Sequence, residues 1–147
     1  MKGNNQVISE KLQVTNDFNA TYCDLYEGVL NQHIGQTTDY VSILSELKML
    51  SGNLKQEIHE CRNIYTENNK EAEQVLEKLI DYQELLDVRI NSFIDFVNKL
   101  YVKSNGGKYS FFSYNSDLKN LKKLEKNSGI LGERLQMDAV IFMRKNR

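Results

Sequence analysis

The chain is predicted to be all-α, built of long amphipathic helices forming a coiled coil or helical bundle, with a shorter helical C-terminal part. Three observations predict this. Proline is absent from all 147 residues, so the strongest helix breaker is missing throughout. Apolar side chains recur three and four residues apart along most of the chain, which lines them on one face of a 3.6-residue helix. Only two cysteines, Cys23 and Cys61, are present, too few for a disulfide framework to stand in for a core.

Residues 1–37 carry the first element, an amphipathic helix expected from Ser9 to Ile34. Leu12, Phe18, Tyr22, Leu25, Tyr26, Val29 and Leu30 share one face. Ser9 is the expected cap, since its hydroxyl can accept a bond from a free first-turn N–H. Gly35 is the expected stop, because glycine adopts the left-handed conformation that closes a helix. Thr38 or Asp39 can then cap the next helix.

Residues 38–103 carry the strongest pattern. Steps of four and three from Tyr40 land on Leu44, Leu47, Ser51, Leu54, Ile58, Cys61, Tyr65, Asn68, Ala72, Val75, Leu79, Tyr82 and Leu86. Only Ser51 and Asn68 among them are polar. A 3.5-residue repeat is the seam of a coiled coil or long bundle. A further four-step reaches Ile90, a stutter, and Phe93, Val97 and Leu100 follow. Ile43, Leu50 and Ile64 widen the stripe on one flank and Leu76 and Ile80 on the other, which implies three or more helices in contact.

This segment is either one long helix or a helical hairpin. As one helix, 39–103 would extend roughly 98 Å at 1.5 Å per residue. Breaks could fall at Ser51-Gly52-Asn53 or at Thr66-Glu67-Asn68-Asn69-Lys70, the second being the better turn. The seam keeps phase across both, which favours the single helix. Asn68 would then be a polar seam residue that sets register.

Residues 104–147 are expected to form a loop plus short basic helices. Ser104-Asn105-Gly106-Gly107 is the clearest punctuation in the chain. The aromatic stretch Lys108 to Tyr114 is expected as loop or short strand. Asn115-Ser116 can cap a short helix with Leu118, Leu121 and Leu124 on one face, and Ser128-Gly129 would stop it. A last amphipathic stretch runs from Ile130 to Met143, within which 139–143 fits helix or strand.

Charge is uneven along the chain. Residues 1–35 carry a net −2, residues 36–103 a net −4, and residues 104–147 a net +5. The basic end brings Lys108, Lys119, Lys122, Lys123 and Lys126 near Tyr109, Phe111, Phe112 and Tyr114. These lysines are candidate contacts for an anionic partner, since lysines neutralise phosphates and exposed rings stack on unpaired bases. The plainer reading has the rings packed in the bundle and the lysines lying along its surface.

The sequence carries little sign of catalytic or metal chemistry. Zinc needs about four converging ligands, and His59 and Cys61, two apart, point to opposite sides of a helix. A seam Cys61 is inaccessible as a nucleophile, so the Cys23, Cys61, His33 and His59 set gives no catalytic pair. Gly106-Gly107-Lys108 lacks the first glycine and the Ser or Thr of a phosphate loop. The carboxylates spread over a solvated face. Asn19-Ala20-Thr21 matches a glycosylation pattern by chance in an Asn-rich chain. No enzyme activity, cofactor, metal or small-molecule substrate is expected. The start of the sequence has no apolar signal stretch, no segment is apolar enough to span a bilayer, and cytoplasm or nucleus is the expected location.

The expected function is therefore that of a structural or adaptor subunit, a scaffold that assembles with itself or other helical subunits. Its expected interface is the seam: Leu44, Leu47, Leu54, Ile58, Val75, Leu79, Leu86, Phe93 and Val97. The rival expectation is a nucleic-acid or anionic-membrane-surface binder using the basic, aromatic C-terminal third.

Overall fold

The computed structural model describes residues 3–31 and 38–145. Four helices occupy most of these: α1 (Asn4–Leu30), α2 (Tyr40–Arg62), α3 (Lys70–Ser104) and α4 (Phe111–Lys145). They pack against one another as a helical bundle, and the described residues contain no strand.

Contacts fix the directions. Asn4 reaches the Thr66 carbonyl, and Lys11 pairs with Glu57 and Glu60, so α1 runs antiparallel to α2. Ser51 bonds Asp87, and Arg62 pairs with Glu84, so α2 opposes α3. Lys78 pairs with Asp138 and Lys99 with Asp117, so α3 opposes α4. The bundle is up-down-up-down, with α3 in contact with each of the other helices.

The helix starts follow local chemistry. Of the two expected caps, Thr38 and Asp39, it is Asp39 that accepts the Ser42 N–H and caps α2. Asn69 accepts the Ala72 N–H and caps α3. Ser110 accepts the Ser113 N–H at 3.1 Å at the start of α4. Helix α1 begins five residues before Ser9, after Gly3, with no side-chain cap. The predicted stop at Gly35 lies outside the described residues, as does His33.

Two expectations about continuity are corrected. The 38–103 segment is a hairpin, because the chain reverses between Arg62 and Lys70. Glu67 and Asn68 both take left-handed backbone angles there, φ 55 and 63. Asn68 is thus an exposed turn residue and sets no seam register. The reason is arithmetic. The connection 63–69 is seven residues long, one full heptad, so the numbering phase survives a turn that reverses the chain.

The C-terminal third is one helix of 35 residues, where short helices are expected. Ser128-Gly129 does not stop it. Ser128 is buried and accepts from Arg89 Nη1 at 2.8 Å. A Cβ on Gly132 would stand 3.1 Å from the Tyr82 ring. Small residues thus let α4 approach large side chains of α3. Burial of Leu121, Leu135, Ala139 and Phe142, at about 1.5–3 kcal/mol for each large apolar side chain, outweighs the roughly 1 kcal/mol cost of a mid-helix glycine.

The core is one apolar column in two parts. Near one end Tyr22, Leu47, Leu54, Leu86, Phe93 and Val97 are buried together; near the other Ile8, Cys61, Val75, Leu79, Leu135 and Phe142 are. The wide stripe is therefore satisfied by four helices of the same chain.

Candidate functional site

Among the polar residues buried in the bundle, α3 contributes Gln83 and Arg89. Gln83 is wholly buried and donates from Nε2 to Thr15 Oγ1 at 3.0 Å and to Cys61 Sγ at 3.4 Å. Its Oε1 has no hydrogen-bond partner. Arg89, 3% exposed, forms a fork with Glu125, Nε to Oε1 at 3.1 Å and Nη2 to Oε2 at 2.6 Å. Its Nη1 donates to Asn19 Oδ1 at 3.0 Å and to Ser128 Oγ at 2.8 Å. The guanidinium also lies 4.9 Å from the centre of the Tyr22 ring, whose hydroxyl donates to Glu125 Oε1.

Burial works against the Arg89 charge, yet the hydrogen bonds it donates to Glu125 and the charge of that carboxylate together outweigh it and hold the guanidinium protonated above its usual range. Burial, with Glu125 beside it, pushes the Tyr22 phenol well up. The cluster ties α1, α3 and α4 together at one height. Asn19, the residue of the glycosylation pattern, is one of its acceptors.

The nine predicted interface residues Leu44, Leu47, Leu54, Ile58, Val75, Leu79, Leu86, Phe93 and Val97 are all buried. The helices they meet are this chain's own. The seam is therefore closed within the chain. Ser51 is buried too and finds its partner in Asp87 of α3 at 2.8 Å.

Cys61 is buried, with its thiol pushed up by burial, while His59 is exposed. Cys23 is half-buried, and burial raises its thiol as well. No group of three or more His, Cys, Asp or Glu among the described residues could hold a metal ion. No helix among them is long and apolar enough to cross a membrane.

The surface that stands out is the end of the bundle where α2 starts, α3 finishes and α4 begins. Val41, Tyr101, Val102, Phe111 and Phe112 are exposed there, the two phenylalanines by 78% and 84%. Tyr101 meets Tyr40 edge-on, joining α2 to α3. Gly106 takes φ 88, and a Cβ on Gly107 would collide with the Val102 side chain and sit 2.8 Å from its carbonyl oxygen. These two glycines make a tight reversal that presents Phe111 and Phe112 at the tip, rather than a phosphate cradle.

The aromatic stretch divides. Tyr109 and Tyr114 pack on Phe96, and the Tyr109 hydroxyl donates to Asp117 at 2.5 Å. That bond, with Lys99 alongside, draws the Asp117 carboxyl below its ordinary range. Phe111 and Phe112 face water instead. Lys108, Lys119, Lys122, Lys123 and Lys126 are all exposed, and none makes a hydrogen bond or ion pair among the described residues.

Arg89, Gln83 and Glu125 do not stand out from a count of apolar positions along the sequence. A signal existed. Counting by sevens from Val75 gives Tyr82, Arg89 and Phe96, and from Leu76 gives Gln83, Ile90 and Val97. Each apolar row contains one polar residue. Comparison with family models, curated proteins and solved structures finds no match to the chain.

Proposed function

We propose that the protein is a non-enzymatic structural or adaptor subunit that docks onto another protein through the apolar end of its bundle. The observation that carries this reading is the exposure of Phe111 and Phe112 at the end of the bundle that also exposes Val41, Tyr101 and Val102, next to a core already filled. Clustered exposed apolar residues mark interaction sites, and aromatic rings, at roughly 150–250 Å² each, dominate interface energetics. The partner contributes an apolar pocket for the two rings, and the buried Arg89 cluster keeps the helices that present them in fixed register.

The test compares proteins retained by the full chain with those retained by a Phe111→Ser, Phe112→Ser variant. The variant should melt at the wild-type temperature, because neither ring is in the core, and should lose a companion that wild type holds at high salt. An identical set of companions for both chains would overturn the reading.

A second reading has one observation in its favour, the unpaired Lys108, Lys119, Lys122, Lys123 and Lys126 close in sequence to those rings. An anionic partner, nucleic acid or lipid surface, would then be released as salt rises.

A further inference from the structure

The outer faces of α1 and α4 carry opposite charge. On α4, Asp117, Glu125 and Asp138 are turned inward onto Lys99, Arg89 and Lys78. The outward surface therefore keeps Lys119, Lys122, Lys123, Lys126, Arg134 and Arg144, all exposed, against the single acid Glu133. On α1 the one base, Lys11, is committed to Glu57 and Glu60 of α2. Asp17, Asp24 and Glu27 are exposed with no base beside them on their helix.

The heights of these charges also correspond. Tyr22 meets Glu125 directly, and Arg89 holds Asn19 level with Ser128. Helices α1 and α4 run in opposite directions, so counting away from the Tyr22–Glu125 contact brings Asp24 level with Lys123. Glu27 comes within one residue of Lys119, and Asp17 within about one turn of Lys126. A rotation about an axis parallel to the bundle changes no heights. It carries the acids of one copy opposite the lysines of another, and the lysines opposite the acids.

We propose that two copies of the chain associate side by side about such a two-fold axis, with the basic surface of α4 on the acidic surface of α1 of the second copy. Each contact occurs twice, as a closed two-fold interface requires. Exposed Ile130 on α4 and Val14 on α1 supply apolar surface at nearby heights. This interface is separate from the apolar end, so either can fail while the other stands.

Sedimentation velocity of the full chain tests it. The wild type should show a reversible monomer–dimer equilibrium that weakens by about tenfold or more between low and high salt. Lys119→Glu, Lys123→Glu, Lys126→Glu should be monomeric, as should Asp17→Lys, Asp24→Lys, Glu27→Lys. An equimolar mixture of the two variants should regain the dimer, because the reversed α4 of one now suits the reversed α1 of the other. The corresponding Lys→Gln and Asp→Asn, Glu→Gln chains, which remove charge without reversing it, should dimerise weakly and stay so when mixed. A wild type monomeric at every concentration and salt, a dimer untouched by both reversals, a mixture that stays monomeric, or open-ended growth with concentration would each overturn the proposal.

Discussion

Arg89 and Glu125 face each other through two parallel hydrogen bonds, at 3.1 and 2.6 Å, where 4% of the Arg89 side chain reaches solvent. The pair joins α3 to α4, and through Asn19 and Tyr22 it joins both to α1. A buried charge loses several kcal/mol of hydration, so such a pair contributes less to stability than its geometry suggests. Breaking it on one side is another matter, because the remaining charge stays behind unpaired.

Arg89→Met should therefore destabilise the bundle by about 3 kcal/mol. That is the low end of the expected range, since the Glu125 side chain keeps 27% of its exposure and can be partly hydrated. Adding Glu125→Met should recover part of the loss. Urea unfolding of the two variants measures the coupling, and simple additivity would count against a mutually dependent pair.

Gln83 behaves oppositely. Its Oε1 is buried without a partner, while Thr15 Oγ1 already donates to the Lys11 carbonyl and Cys61 Sγ to Glu57. Gln83→Met thus removes an orphaned acceptor without orphaning a donor. It should raise stability by about 1 kcal/mol, read as a higher melting temperature; a clear fall would mean that the bond to Thr15 matters more than the unmet carbonyl.

At the α2–α3 turn, Asn68→Leu should cost about 1 kcal/mol, because a branched apolar side chain is strained at φ 63 where asparagine is tolerated. Asn68→Gly should fall within a few tenths of wild type by the same reasoning. Thermal melts of the two variants distinguish this from a helical Asn68, for which leucine would stabilise and glycine would harm.

Stability should be flat across neutral pH and fall at both extremes. Hydrogen bonding from Tyr109 and the Lys99 ion pair depress Asp117, so its contribution is complete above the ordinary 3.8 and is lost as pH falls through the lower folded value. Tyr22 and Tyr109 are both raised, chiefly by burial. Their contribution is complete below the ordinary 10.0 and is lost as pH rises from there toward their folded values, since the unfolded chain releases protons the folded chain keeps. Tyr109→Phe should weaken the loss on both sides, in acid because Asp117 loses its phenol donor and in alkali because one raised phenol is gone, as measured by denaturation midpoints against pH.

The sequence by itself determined that the chain is helical, which faces are apolar, that the stripe is too wide for two helices, and that a cap at Thr38 or Asp39 starts α2. These are local matters of periodicity and capping, set by residues within a turn or two of each other. Only the tertiary structure decided that the partners of Leu47, Leu54, Leu79 and Phe93 lie in the same chain, that residues 63–69 reverse it, and that α4 continues past Ser128. A heptad-long turn leaves no trace in the phase. Likewise, the smallness of Ser128 and Gly132 acquires meaning only when Arg89 and Tyr82 of another helix arrive to fill the space. The exposed tip at Phe111 and Phe112 has the same origin: in sequence they match Tyr109 and Tyr114 as aromatics, and only the packing around Phe96 separates the rings that are covered from those left in water.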